Sequence, residues 1–329
     1  MQVSVDQIRT TSAAALIAHG AGDWQAAEVA RAVARAEETG NVICGLYYLE
    51  SYCLQLASGR VNGTVEPQVH APRPGAVTAD ARLGFAQPAF ARALPLALDA
   101  ARANGIAALA VAHSHTCTSL GYFTEQIAAA GLIGIGVTNA SAIVAGPGGR
   151  RPILGTNPIA ITIPGDGDGP PAMHADFSTA AVALGKITMA RAAGEAIPSG
   201  WAVDAEGRPT TDPAAALGGA LVSAAGYKGW ALGLMVEALA AGLTGSVNSL
   251  DVKGLKLADG PPHDLGQYYI LIDPGAHGGA LADRFATVAQ AVADDPGVRI
   301  PGAPRRRLDP VDVPDALWQQ ALALAVPQT

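Results

Sequence analysis

The chain has 329 residues and a net charge of −7, and half of its residues are hydrophobic while only 15% are charged. This length allows one large domain or two ordinary ones with a substantial core. The acidic balance argues against nucleic acid or an anionic membrane as a partner, but it allows a small anionic substrate. The low share of charged residues predicts that a second subunit covers part of the surface.

The N-terminal half begins with helical patterns. Apolar residues at three- and four-residue spacing predict helices over 5–19, 24–38 and 41–57, with a turn at 21–23. Residues 61–78 are Pro-rich and predict a connecting arm with short strands. An amphipathic helix follows over 88–104.

Short apolar strands then alternate with helices, which predicts an α/β core. The strands are expected over 107–112, 132–137, 159–163 and 268–272. The helices are expected over 122–130, 180–193, 226–242 and 281–293. Residues 145–152 are expected to form a loop, and the Gly-Thr-Asn-Pro run at 155–158 follows it.

The cysteines and the N-terminus narrow the class of protein. Cys44, Cys53 and Cys117 do not form a disulfide framework, and no CxxC or HExxH spacing predicts a metal site. The first residues lack the regions of a signal peptide, and no apolar run reaches ~18 residues. We therefore expect a cytoplasmic protein without a bound metal or a membrane-spanning helix.

The densest polar cluster is His-Ser-His-Thr-Cys-Thr-Ser at 113–119, between a predicted strand and a predicted helix. Such junctions are where α/β proteins place functional groups. No G-x-G-x-x-G fingerprint accompanies it, because Gly134 and Gly136 lie inside an apolar strand and lack the third glycine.

Three other segments are candidate phosphate sites. Residues 176–179, at the expected start of a helix, offer backbone N–H groups, although ordinary helix capping explains them as well. Lys228 stands in a Gly-Tyr-Lys-Gly turn, which suits either an anion or a plain surface turn. Arg305, Arg306 and Arg307 predict either a phosphate clamp or a solvated tail.

Several runs together resemble the malate/L-lactate dehydrogenase type 2 family. They are Leu-Ile-Gly-Ile-Gly-Val-Thr-Asn-Ala at 132–140, the Gly-Gly-Arg to Gly-Thr-Asn-Pro run at 148–160, Asp-Phe-Ser-Thr at 176–179 with Gly185-Lys186, and residues 209–213 and 226–229. The resemblance covers essentially the whole chain. It implies a homodimer with a non-Rossmann nicotinamide-binding fold, built from a helical N-terminal region and a mixed-sheet core. That fold accounts for the missing fingerprint.

The resemblance also implies a division of the chain and a class of reactions. Residues 1–112 form the N-terminal helical, substrate-side region, 113–226 the central nicotinamide-binding domain, and 227–329 a segment that packs back on the N-terminal region. Members of the family use NADH or NADPH. They reduce 2-oxo acids such as oxaloacetate and sulfopyruvate, oxidise ureidoglycolate, or reduce pyrroline-2-carboxylate and piperideine-2-carboxylate.

The family's proton-handling residues are replaced here. Its central motif resembles Asp-Ser-His-Gly followed by an arginine, and the Gly-Arg-Val-Asn run at 59–62 fixes the register. Cys44 then holds the place of the histidine, Ile43 that of the serine and Tyr48 that of the arginine. In the second motif, Asn-Ser-x-His-Phe, Thr116 holds the histidine's place and His115 precedes it.

Two more positions differ from common family patterns. Tyr227 stands where a histidine is common, and Lys186 stands where the imine-reducing members carry aspartate, although many relatives have lysine there. The candidate catalytic residues are Cys44, Tyr48, His115, Thr116 and Lys186. The candidate cofactor-binding residues are His115, Thr116, Cys117, Thr118, Ser119, Leu120, Asp176, Phe177, Ser178, Thr179, Tyr227, Lys228, Gly302, Arg305, Arg306 and Arg307.

Three functions follow from these replacements. The first is an NAD(P)H-dependent cyclic imine reductase, because an imine arrives already protonated and needs only a hydride. The second is a 2-oxo acid or 2-hydroxy acid dehydrogenase in which His113, His115 or Tyr48 supplies the proton. The third is a non-catalytic cofactor-binding homologue. The arginines favour NADPH over NADH, since a 2′-phosphate needs a cation.

Overall fold

The computed structural model describes residues 1–167, 169–302 and 307–326. Its helices are α1 (Val5–Ala18), α2 (Asp23–Glu38), α3 (Leu46–Ala57), α4 (Ala86–Asn104), α5 (Gly121–Ala129), α6 (Leu184–Ala193), α7 (Pro213–Gly218), α8 (Tyr227–Glu237), α9 (Leu281–Ala293) and α10 (Asp315–Leu324). Its strands are β1 (Gln2–Val3), β2 (Gln68–Arg73), β3 (Ala76–Asp80), β4 (Ile106–Ser114), β5 (Ile133–Thr138), β6 (Val144–Ala145), β7 (Pro152–Leu154), β8 (Ile159–Ile163), β9 (Met173–Phe177), β10 (Ala202–Val203), β11 (Pro209–Thr210), β12 (Ala220–Leu221), β13 (Leu265–Ile272) and β14 (Val311–Asp312).

A helical layer joins the two ends of the chain. Ser4 and Gln7 form a capping box that starts α1, so the backbone N–H groups at this helix end are satisfied. Helices α1, α2, α3 and α10 bury one apolar cluster that includes Leu16, Val33 and Trp318. The short strands β1 and β14 pair beside it.

A seven-stranded sheet forms the centre of the molecule, in the order β2-β3-β4-β13-β5-β8-β9. Only β3 and β4 among its pairs run parallel, and α4 connects them, as a parallel crossover requires. Phe90 of α4, Phe123 of α5 and Tyr269 of β13 pack edge to face, which fixes the helices on the sheet.

A second sheet, β11-β10-β12-β6-β7, packs against α6 and α7 around a separate apolar cluster. The mixed α/β architecture predicted from the sequence is present. The expected boundary at 112 and 113 falls inside β4, and the central sheet takes strands from all three expected parts, so the division at those positions stays a prediction.

Two sequence expectations about elements are wrong. The helix expected over 41–57 is interrupted by a 3-10 turn at Val42–Cys44 and by Gly45, whose backbone is extended. The helix expected from 180 starts at Leu184, because Ala181 N–H bonds the Val222 carbonyl instead of a helical partner. The loop expected at 145–152 is present between β6 and β7, and only its end residues Ala145 and Pro152 belong to those strands. None of the described helices is both long and apolar enough to cross a membrane.

Candidate active site

Cys44 lies at the entrance to α3, on the 3-10 turn that interrupts the expected helix. The buried Glu37 accepts a hydrogen bond from the Leu46 N–H at 2.7 Å and so fixes the start of α3. Gly45 is required there because a Cβ at this position would clash with the Glu37 side chain. The local backbone therefore holds Cys44 in one place.

The Cys44 thiol is strongly disposed to keep its proton. Burial first, and then the nearby Asp176 carboxylate, raise the pKa of this thiol to about 12. A hydrogen bond with Asn41 and the charge of Lys256 act in the opposite direction but do not offset those effects. Cys44 is therefore a neutral thiol at pH 7.

Tyr48 faces the segment 253–261, which we name the strap. Its O–H donates to the Leu255 carbonyl at 2.8 Å, and burial raises the pKa of the phenol well above its usual value. The Tyr52 ring packs against it edge to face, with centroids 4.9 Å apart. The Tyr48 hydroxyl is thus bound to the backbone of the strap.

The strap is tied to α3 and the turn after it by eight hydrogen bonds to its carbonyls. Arg60, which is 2% exposed, donates to the carbonyls of 253, 254, 257 and 261. Gln55 donates to the carbonyls of 255 and 257, and Ser58 to that of 258. The strap has no regular secondary structure, so these contacts determine its path.

His115 points into the protein interior, away from the cavity described below. It is 1% exposed, lies between Tyr52 and Phe85, and stacks on His263 with centroids 3.9 Å apart. Its Nε2 lies 2.5 Å from Gln55 Oε1. Since Gln55 Oε1 can only accept, His115 Nε2 carries the proton.

Burial lowers the pKa of both stacked histidines. The pKa of His263 falls to about 3, and that of His115 lies well below its usual value, with the neighbouring His263 and Arg60 adding to the effect. His263 Nδ1 accepts a hydrogen bond from the Thr116 N–H at 3.2 Å. Both imidazoles are therefore neutral at pH 7 and hold the 113–120 loop against the strap.

The rest of the 113–120 loop divides into a buried part and a part near the cavity. Thr116, Cys117 and Leu120 are at most 8% exposed, whereas Thr118 and Ser119 are half-buried. His113 Nδ1 lies 2.7 Å from Asp264 Oδ1, and both side chains are partly exposed to solvent.

A cavity of about 520 Å³ opens between the end of α2, the start of α5 and β9. It brings two segments singled out in the sequence together, because Ser119 and Asp176 both line it. Asp176 Oδ2 accepts a hydrogen bond from the Gly121 N–H at 2.7 Å, and Asn41 Nδ2 donates to Ser119 Oγ at 3.4 Å. The lining residues are Arg35, Ala36, Thr39, Gly40, Asn41, Ser119, Tyr122, Glu125, His174, Asp176 and Arg299.

Residues 176–179 do not begin a helix, contrary to the sequence expectation. Asp176 and Phe177 end β9, and Phe177 is half exposed. Ser178 accepts from the Ala180 N–H, while the buried Thr179 donates to the Thr156 and Asn157 carbonyls. The peptide N–H groups here therefore do not form a helical phosphate site.

The remaining candidates lie at more open positions. Lys186 is exposed on α6, and Tyr227 and Lys228 are exposed in the first turn of α8. Gly302 approaches β9 so closely that a Cβ would meet the His174 backbone, and the Pro301 carbonyl accepts from the His174 N–H.

The arginine run is described only in part. Arg305 and Arg306 lie outside the described residues. The exposed Arg307 has its Nε 4.0 Å from Glu38 Oε1. No cluster of three His, Cys, Asp or Glu side chains suited to a metal ion occurs within residues 1–167, 169–302 and 307–326.

The residues near this site that were missed in the sequence include Asn41, Lys256, His263 and Arg299. The signal for Asn41 was its place directly before the 3-10 turn, where a polar side chain can reach a neighbouring loop. Lys256 and His263 gave no local signal, because their contacts are with α3 and the 113–120 loop, more than 140 residues away.

The comparisons with known proteins agree on one family. A model described as malate/L-lactate dehydrogenase matches residues 3–319. The chain is 37% identical to a (2R)-3-sulfolactate dehydrogenase (NADP(+)) of Chromohalobacter salexigens, over 98% of both chains. It is also 37% identical to a Delta(1)-pyrroline-2-carboxylate reductase of Ancylobacter novellus, over 98% of this chain and 97% of that protein. The crystal structure of delta1-piperideine-2-carboxylate reductase from Pseudomonas syringae superposes with a TM-score of 0.92 at 35% identity, covering 98% of this chain and 99% of that chain.

Proposed function

Since this chain belongs to the malate/L-lactate dehydrogenase family, we propose that it is an NAD(P)H-dependent reductase of a cyclic imine carboxylate. Its substrates are pyrroline-2-carboxylate or piperideine-2-carboxylate, and its products are proline or pipecolate. The family membership and the fold class predicted from the sequence are confirmed by these matches.

The chemistry of positions 44 and 48 carries this proposal. The Cys44 thiol, with its pKa raised to about 12, is a weak acid at pH 7. The Tyr48 O–H is hydrogen-bonded to a strap carbonyl, and its pKa is raised as well. Because a general acid works best with a pKa near the working pH, neither group suits proton donation to an alkoxide.

Reduction of a protonated cyclic imine needs no proton from the protein. The nitrogen brings its proton from solvent, the hydride forms the C–H bond at C2, and the C=N π electrons become the nitrogen lone pair. The nicotinamide, when bound, supplies the hydride and leaves oxidised. A ketone instead requires a proton on oxygen, for which a positioned donor is worth about 10²–10⁴-fold.

The cavity fits a phosphate-bearing cofactor in size and donors. Its volume of about 520 Å³ falls within the range of small-molecule sites, and Arg299 adds a cation. Gly121 keeps the start of α5 open, since a Cβ there would lie 2.7 Å from the His174 ring. We propose that the open candidates contact the cofactor, while His115, Thr116, Cys117 and Leu120 shape the 113–120 loop. The open candidates are Thr118, Ser119, Asp176, Phe177, Ser178, Tyr227, Lys228, Gly302 and Arg307. We propose the same role for Arg305 and Arg306, which lie outside the described residues.

We propose NADPH as the preferred reductant and a homodimer in the cytoplasm as the working form. Arg299 and Arg307 supply cations on this side of the molecule, and one relative is named for NADP(+). The apolar residues Leu232, Leu234, Met235 and Leu243 are each more than 40% exposed, which favours a covering subunit. The three free thiols favour a reducing compartment.

A second candidate function is a 2-oxo acid or 2-hydroxy acid dehydrogenase. The sulfolactate dehydrogenase relative, at the same 37% identity as the pyrroline-2-carboxylate reductase, favours it. The lysine at position 186 also agrees with it, as the family resemblance implies. The exposed position of Lys186 on α6 leaves its amine available to a ligand.

A side-by-side assay of NADPH and NADH oxidation separates these functions. The substrates are pyrroline-2-carboxylate, piperideine-2-carboxylate, pyruvate, oxaloacetate and sulfopyruvate. We expect kcat/KM for an imine to exceed that for every 2-oxo acid by at least about tenfold, which corresponds to ~1.4 kcal/mol. A 2-oxo acid turned over faster than both imines overturns the proposal.

A further inference from the structure

The strap places a lysine over the first turn of α3, beside Cys44. Lys256 Nζ lies 3.8 Å from the centroid of the Tyr47 ring and 5.5 Å from that of the Tyr48 ring. These two tyrosines are the second and third residues of α3. The ammonium therefore lies at the same helix entrance as the thiol.

The charge of Lys256 is available to a ligand. Its side chain is exposed, and it takes part in none of the ion pairs between described residues. Arg60, a second cation of this region, is buried and donates its N–H groups to strap carbonyls. Arg35 is paired with Glu38 and Glu125.

The backbone around Lys256 is fixed on both sides. The Leu255 carbonyl accepts from Tyr48 and Gln55, and the Leu257 carbonyl accepts from Gln55 and Arg60. A cation on an anchored backbone loses less conformational freedom when it binds an anion. The hydroxyl of Tyr48 takes part in this anchoring.

Lys256 lies over the first turn of α3, directly after the turn that carries Cys44. Lys256 acts on the Cys44 thiol in the direction that favours the thiolate. A 2-imino or 2-oxo carboxylate carries its anion one bond from the carbon that is reduced. A cation beside position 44 is therefore well placed to hold that anion while the carbon faces the hydride.

We propose that Lys256 binds the carboxylate of the substrate. The neutral Tyr48 anchors the strap that carries this lysine. This inference rests on the proposed function only in that the substrate is a carboxylate with an adjacent C=N or C=O group.

Binding of two isosteric ligands tests the proposal without turnover. Pyrrole-2-carboxylate and the neutral pyrrole-2-carboxamide are titrated into NADP⁺-loaded protein by calorimetry, for the unmodified protein and for Lys256→Met and Lys253→Met. We expect Lys256→Met to weaken carboxylate binding at least about tenfold and carboxamide binding less than twofold. Lys253→Met is the matched control, because its exposed side chain lies on the same strap, and it should change neither Kd more than twofold.

Kinetics supply the second readout. With whichever substrate of the panel is turned over, Lys256→Met should raise KM at least about tenfold, and Lys256→Arg should restore it to within about threefold. Unchanged carboxylate binding in Lys256→Met, equal losses for both ligands, or no carboxylate binding by the unmodified protein overturns the proposal. A protein that reduces only 2-oxo acids refutes the imine reductase but leaves the test of Lys256 intact.

Discussion

The 113–120 loop and the strap both pack against α3. The sequence indicates a functional site in the loop and none in the strap, whereas the structure places an exposed cation on the strap and buries His115 of the loop. The loop has the densest polar sequence in the chain, yet Gln55 and His263 hold His115 inside the protein. The strap has an unremarkable sequence, yet Tyr48, Gln55 and Arg60 hold it so that Lys256 stands beside Cys44. Polar residues mark a buried network as readily as a reactive site, and only their partners tell the two apart.

Release of the strap is expected to have the largest effect on the stability of the protein. Arg60→Ala removes four hydrogen bonds to the strap and leaves the carbonyls of 253, 254 and 261 without their donor, so we expect it to lower the free energy of unfolding by about 3–5 kcal/mol. It should also raise KM for the substrate. Urea denaturation and steady-state kinetics measure both effects.

Arg9→Ala is the control for this prediction. Arg9 is exposed and pairs only with Asp6 in the same helix turn, so its removal should cost less than about 0.5 kcal/mol. An Arg60→Ala protein as stable as Arg9→Ala would show that the strap holds itself in place.

The pH dependence of stability tests whether His115 and His263 are buried in their neutral forms. His115 and His263 have lowered pKa values when folded, so the unfolded chain binds protons that the folded chain refuses. Their contribution is fully present above the unfolded pKa of about 6.5 and is lost as the pH falls toward about 3 for His263. We expect the free energy of unfolding to drop by about 2.5 kcal/mol from pH 7 to pH 5.5 through these two groups.

Urea denaturation at the two pH values checks this prediction, with His263→Gln as the test variant. About half of the pH-dependent loss should disappear in that variant. His277→Gln, at an exposed position, should leave it unchanged. A His263→Gln protein with the full pH-dependent loss would show that the stacked pair is not its source.

Cys44 lies between the two regions and gives the smallest expected effect. Cys44→Ala should leave kcat/KM for the imine within about tenfold of the unmodified enzyme, because the substrate nitrogen already carries its proton. Ile43→Ala, at the exposed neighbouring position, controls for disturbance of the 3-10 turn. A loss of more than about 100-fold in Cys44→Ala alone would assign the proton transfer to the thiol.

The sequence predicts elements well where the pattern is long and uninterrupted. The boundaries of β8 and α9 agree with the expectation residue for residue, and α1 and α2 agree within one. The interruption at Cys44 was missed because it depends on Glu37 capping the next helix from another element. Hydrophobic spacing carries no information about such a contact.

The candidate site was predictable only in part, for a similar reason. Ser119 and Asp176 were singled out by local polarity, and the fold brings both to one cavity. Lys256 depends on contacts that span about 200 residues of chain. Its sequence neighbourhood is that of an ordinary surface loop, so its position emerges only when α3 and the strap are seen together.

The burial of Cys44 has a consequence for the chemical durability of the protein. Because its pKa is raised to about 12, Cys44 is almost entirely a neutral thiol at pH 7. Peroxides and alkylating agents attack the thiolate, so this cysteine reacts slowly although it lines the entrance to α3. An exposed thiolate at the same place would be an easy target for oxidants. The surroundings that raise the pKa of Cys44 therefore make the thiol a poor proton donor and also slow its oxidation.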